Sequence, residues 1–291
     1  MIIAMLSVSI SPILVEAIFQ NQRLKHSIPG PSISISLAFW RMLIGAILLW
    51  SYTLFNKQKP ISFNNRNYSI VSGVFLALHF YFFFEAIRLS SIANATFLGT
   101  LAPIFTLIFE IFLLKRKISF KVIIPLIVII IGSAILVFDE FNFSTNKTIG
   151  NLFAILCSFW FGICFIISDK VRKTEGTITY TKILYTSSAV TLFFIAFFYD
   201  AKLFTFSYQN FLLVFLLGVI PNIFGHNLLY YSVKYISPTI VSCIPLGEPV
   251  IASIFAYILF NQTISISGIF GGGIIIVGLF FLLVNKTHNV T

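Results

Sequence analysis

The stretch "SIANATFLGTLAPIFTLIFEIFLLKRKISFKVIIPLIVIIIGSAILVF" (91–138) returns 146 residues later as "SPTIVSCIPLGEPVIASIFAYILFNQTISISGIFGGGIIIVGLFFLLV" (237–284). The two align without a gap. Ser91 falls on Ser237, Pro103 on Pro249, Ser119 on Ser265 and Gly132 on Gly278. Phe109 on Phe255 and several Ile and Leu matches follow, but apolar coincidences are common where such residues dominate. The Pro, Gly and Ser matches carry the reading, because each fixes a backbone feature. The chain is therefore read as two copies of one unit, residues 1–140 and 147–286, with a seam near Asp139–Thr148.

Each quoted copy holds two long apolar runs, and the rest of the chain continues the pattern. A helix needs about 20 apolar residues to cross a bilayer core. Ten runs qualify: 2–20, 34–55, 67–87, 92–114, 120–138, 149–168, 180–199, 209–231, 237–260 and 266–284. Hydrophobic residues make up 58% of the chain and charged residues 10%, with a mean hydropathy of +0.99. A soluble domain needs far more charge to stay dissolved. Closed β-barrels, the other spanning solution, need short alternating segments, and these runs are continuous. The expected fold is an all-α integral membrane protein of ten transmembrane helices, two five-helix repeats around a central cavity. Five is odd, so the second repeat enters the membrane inverted relative to the first. Inverted repeats are a hallmark of secondary transporters, which use the two near-equivalent packings to open to one side and then the other.

The net charge of +10 is a topology signal rather than a nucleic-acid footprint. With the N-terminus inside, the inner loops and ends carry 13 Lys and Arg residues against 5 outside, with Arg41 left in a span. The positive-inside rule then places both termini in the cytoplasm. Anionic lipid head groups are the expected partners of the surplus. The chain enters its first apolar run without a basic start, so no cleaved signal peptide is expected. Cys157, Cys164 and Cys243 lie in predicted spans, and neither a disulfide nor a metal or other cofactor is expected.

A charge inside a span costs at least ~2.5–3.5 kcal/mol on insertion scales, so each asks for a reason. Glu248 lies mid-span within "IPLGEPV" (244–250). Pro245, Gly247 and Pro249 should bend the helix there and leave carbonyls unpaired. One reading is a carboxylate that binds a cationic group or a proton; the other is an acid bonded across helices to fix the kink. His79 and His226 sit mid-span in the third and eighth helices. They suit a binding site or proton carrier, or a neutral imidazole bonded to a neighbour. Asn222, Asn227 and Tyr230 add polar groups near His226, and Trp40 and Trp160 are candidate cavity aromatics. Glu16 and Arg41 lie at similar depth in the first two helices and are read as an ion pair or gate. Glu85 and Glu110, near span ends, are read as solvated, with Arg88 a possible partner for Glu85. The glycines of "GIFGGG" (268–273) are read as helix packing.

Several segments resemble a known family. "SPILVEAI" (11–18) and "ISLAFWRML" (35–43) look like the opening of a drug/metabolite transporter with EamA-type repeats. "LALHFYFFFEAIRLSSIANATFLGTLAPIF" (76–105) resembles the family's third and fourth helices. "GHNLLYYSVKYISPTIVSCIPLGEPVIASIFAYILF" (225–260) resembles the eighth and ninth. The chain departs from the family at Glu16, where a basic residue is common, and at Arg116 and Gln262, where an acidic one is. The resemblance implies a ten-helix bundle that transports small organic metabolites, often by export, with amino acids the expected class. A proton-independent exchanger of phosphorylated sugars or nucleotide-type metabolites is a rival, weakened because Arg41 alone supplies intramembrane basic charge. An integral membrane enzyme is a second rival, and the scattered ionisable groups lack metal-ligand spacing for it. The reading places a monomer or weak dimer in a prokaryotic inner membrane.

Overall fold

In lipid, a backbone N–H or C=O finds no water to bond, so long apolar runs close their hydrogen bonds within helices. The computed structural model describes residues 1–24, 30–138, 145–204, 206–260 and 265–284. Its helices are α1 (Ile2–Leu24), α2 (Pro31–Phe55), α3 (Phe63–Leu89), α4 (Ile92–Gly99), α5 (Ala102–Phe112), α6 (Phe120–Leu136), α7 (Thr145–Arg172), α8 (Thr177–Phe198), α9 (Tyr208–Val219), α10 (Asn227–Val233), α11 (Pro238–Ser242), α12 (Glu248–Phe260) and α13 (Ile266–Val284). Among the described residues no strand is present. Nine helical stretches among the described residues are long and apolar enough to cross a membrane. The tenth, α6, has 17 residues, about 25 Å of helix, at the lower end of what spans. Large apolar side chains stay exposed on its outer faces, such as Phe198 at 81% and Phe270 at 67%. That surface faces hydrocarbon, and the protein is a multi-pass membrane protein.

Three expected spans are not single helices. Span 92–114 breaks at Thr100–Leu101 into α4 and α5. Span 209–231 passes through a π-helical turn, Ile220–His226, between α9 and α10. Span 237–260 is α11, a 3-10 turn at Ile244–Gly247, then α12. Proline explains each place. Pro221, Pro245 and Pro249 lack an N–H, and their rings crowd the preceding turn. Pro103 likewise cannot donate to the Gly99 carbonyl. The break in span four is compensated from α7: Ser158 Oγ donates to Leu98 O at 2.6 Å. Irregular backbone at this depth is tolerated where protein or a cavity covers it.

The helix starts keep the sequence offset. Pro31 and Thr177, Ile92 and Pro238, Ala102 and Glu248, and Phe120 and Ile266 each open a helix, and each pair lies 146 residues apart. The packing is reciprocal. Helix α2 packs on α8 and α6 on α13. Helix α3 packs on α7, while α9 and the π-turn pack on α1. Helix α5 packs on α7 and α12 on α1. The α6–α13 contact is close: Gly271 and Gly272 are buried, and a methyl group on Gly271 would collide with the Leu136 backbone. The seam expected at 139–148 and the family departure at Gln262 lie largely or wholly outside the described residues.

Candidate functional site

The broken helices bring their irregular segments to one place. A cavity there is lined from α1 by Val8 and Ser11, from α2 by Arg41, and from α3 by His79, Phe80 and Phe83. Gly99, Thr100 and Ala102 come from the break in span four. Phe161 comes from α7, His226 from the π-turn, and Ser242, Pro245 and Glu248 from span nine. Its free volume is about 30 Å³, room for one or two water molecules. Its lining residues are buried, and the space as it stands is too small for a metabolite.

Arg41 is 1% exposed. Its Nε donates to Asn222 Oδ1 at 2.8 Å and its Nη1 to Ser11 Oγ at 2.6 Å. Asn222 Nδ2 returns a bond to Arg41 O at 2.8 Å, so one asparagine fixes both side chain and backbone. The guanidinium carbon lies 3.9 Å from the centre of the Phe80 ring, a cation–π contact in a dry setting. Its Nη2 has no hydrogen-bond partner among the described residues. The expected Glu16–Arg41 ion pair is therefore corrected. Arg41 turns to Ser11 and Asn222, while Glu16 accepts from Gln20 Nε2 at 3.3 Å. The reason lies in the packing: α1 lies against α3, α9, the π-turn and α12, and α2 against α3, α8 and α9. Helices α1 and α2 are consecutive in sequence but turn their main faces to other helices.

Glu248 is the first residue of α12, where the helix dipole favours negative charge. It is 5% exposed and faces the cavity. Among the described residues its carboxylate makes no hydrogen bond or ion pair, so it does not fix the kink by bonding across helices. His79 and His226 do come together: their ring centres are 6.3 Å apart, with Phe161 at 4.2 Å and 5.3 Å from them. His79 Nδ1 lies 3.1 Å from Cys157 O, whereas His226 Nδ1 has no hydrogen-bond partner among the described residues.

The remaining candidates stand back from the cavity. Tyr185 Oη donates to Asn222 O at 3.1 Å and reaches Asn227 Oδ1 at 3.5 Å, which places Asn227 behind Asn222. Tyr230 packs its ring on Tyr180 and His226 one layer out. Trp40 is corrected: it does not line the cavity. Its Nε1 donates to Leu203 O at 2.7 Å and its ring meets Phe204 and Phe211 edge-on. Trp160, also corrected, stacks on Phe75 at 5.3 Å outside the lining. Glu85 and Glu110 are not solvated. Glu85 is bound by both Arg88 Nε and Nη2, at 2.9 and 2.7 Å. Glu110 is fully buried and bonds Arg116 and Thr239. Ser11, Thr100, Phe161 and Ser242 line the site although their sequence carries no flag. Thr100 and Ser242 do border the helix breaks, and that was their available signal. The three cysteines are free and buried.

A family model described as the EamA-like transporter family matches residues 1–138 and again 148–284. An uncharacterized transporter of Archaeoglobus fulgidus is 23% identical over 84% of this chain and 85% of its own. An uncharacterized transporter of Clostridium kluyveri is 22% identical over 85% of this chain and 80% of its own. A solved crystal structure superimposes with a TM-score of 0.69 at 15% identity, covering 98% of this chain and 99% of the other. That likeness speaks for the fold alone.

Proposed function

The chain belongs to the EamA-like transporter family, and from that premise we propose a secondary transporter that moves small zwitterionic metabolites, amino acids first among them, by alternating access. The observation that carries this is a set of unused polar groups around one cavity. Among the described residues Arg41 Nη2 and His226 Nδ1 have no hydrogen-bond partner, and Glu248 makes no bond. A buried polar group without a partner costs about 1–3 kcal/mol, more when charged. Such groups persist where a ligand completes them. Arg41 offers a donor to a carboxylate and Glu248 an acceptor to an ammonium group, and the aromatic walls suit a short apolar side chain.

Alternating access rests on two halves, 1–140 and 147–286, inverted with respect to each other. The helix starts 146 residues apart and the reciprocal packing support this. Each half has five spans, so a twofold axis relating them must lie in the membrane plane. The basic loops support cytoplasmic termini in an inner membrane, and the family resemblance supports export. No chemical conversion of the substrate enters this reading.

The test is uptake by proteoliposomes of labelled zwitterions, carboxylates, amines and sugar phosphates, with and without a proton gradient. Saturable uptake of zwitterions is expected. Preference for sugar phosphates would overturn the pairing of Arg41 with Glu248. Uptake that follows the proton gradient would make Glu248 and the two histidines proton carriers as well, whereas indifference to it would make the protein an exchanger.

A further inference from the structure

The ends of the cavity are not built alike. At the end carrying the basic loops, α5 of the first half meets α11 of the second through polar bonds. Thr106 Oγ1 and Ser242 Oγ are 2.8 Å apart, with Ser242 in the cavity wall. One turn further on, Glu110 Oε2 accepts from the Thr239 amide at 2.9 Å and from the Thr239 hydroxyl. Glu110 Oε1 accepts from Arg116 Nη1 at 2.9 Å, and Arg116 Nη2 reaches Asp169 of α7 at 2.7 Å. The backbone turns Arg116 into this place. Lys115 adopts a left-handed φ of 53°, and the Arg116 N–H returns to Glu110 O at 2.9 Å. Partial burial works against the Arg116 charge, but the bonds to Glu110 and Asp169 outweigh it and hold the guanidinium above its ordinary pKa.

At the other end, α4 meets α12 in the equivalent contact. Shifting by 146 residues, Glu110 becomes Ala256, Thr106 becomes Ala252 and Thr239 becomes Ala93. Ser242 falls on Thr96, whose hydroxyl bonds its own helix at Ile92 O and Ala93 O. Alanine at positions 256, 252 and 93 cannot repeat the side-chain bonds of Glu110, Thr106 and Thr239, although Asn94, buried in α4, brings a polar side chain of its own to this end.

We propose that Glu110, Thr239 and Arg116 form a latch that holds the cavity shut toward the basic end. This rests on the alternating-access reading for its meaning, though not for its test. Opening the basic end must part α5 from α11 and break bonds to a buried carboxylate.

Cys243 is a native reporter. It is buried, and its Sγ lies 3.1 Å from Thr239 O, directly behind the latch. With Cys157 and Cys164 changed to alanine, an impermeant thiol reagent is applied to either face of sealed vesicles. Glu110→Gln and Thr239→Val should each speed modification of Cys243 from the basic side about tenfold, the worth of one charge-assisted bond, with no change from the opposite side. Arg116→Gln removes the ion pair at a side chain 29% exposed and keeps the test open if Glu110→Gln fails to fold. Unchanged rates, or equal acceleration from both faces, would overturn the latch. No substrate is needed, so sided acceleration in a protein that transports nothing would sink the transport reading and leave the latch.

Discussion

Glu248 and Arg41 illustrate how a charge in a membrane span earns its place. Arg41 has its Nε and Nη1 committed to Asn222 and Ser11, and one nitrogen left over. Glu248 has no such commitments. Glu248→Gln should therefore fold with unchanged yield and melting temperature, yet reduce zwitterion uptake roughly tenfold to a hundredfold, the cost of one charge-assisted bond to the substrate. Uptake unchanged across pH 5–8 would remove Glu248 from the site. Asn222→Ala should behave in the opposite sense. It strips a charged bond and strands the Arg41 carbonyl, so stability in detergent should fall by about 1.5–3 kcal/mol. A variant as stable as the parent would show that Asn222 does not hold Arg41. Residue types at mid-span were enough to select Arg41, Glu248, His79 and His226 from the sequence, because unexplained polarity in lipid is rare. The error over Glu16 came from taking neighbours in sequence as neighbours in space. A double-mutant cycle between Glu16→Gln and Arg41→Gln should be additive to within about 0.5 kcal/mol, and a larger coupling would restore the ion pair.

Proline and glycine set the elements. The kink at Glu248 was legible in "IPLGEPV" because three helix-weakening residues fall within one turn. The break at Thr100 was equally encoded, since Pro103 is the counterpart of Pro249, but a single proline inside a long apolar run reads as a bend rather than an interruption. The π-turn at Ile220–His226 left no periodic trace, because a fully buried helix is apolar all round and its phase cannot be followed. Close packing of α6 on α13 depends on glycine at particular positions. Gly271→Ala would drive a methyl group into the Leu136 backbone and should cost about 1–3 kcal/mol. Gly273 has nothing within 4 Å of an added methyl, so Gly273→Ala should leave the melting temperature unchanged. Equal effects at the two positions would mean that α6 and α13 do not meet as described.

At the scale of the whole molecule, the architecture was the most legible part and the helix neighbours the least. Lipid leaves a ten-run apolar chain few folds, and the 146-residue offset exposed the repeat before any coordinate. Which helices meet depends on packing across the repeats, as in α3 on α7 and α5 on α11, and a single sequence does not display those contacts. The cavity that results holds room for little more than water, and the proposed alternating access has the halves move to admit a substrate. The most direct test of that central claim is counterflow in proteoliposomes with a labelled zwitterion. Alternating access predicts saturable entry that accelerates when unlabelled substrate is loaded on the far side. Entry that rises linearly with concentration and ignores the far side would contradict it and describe a pore.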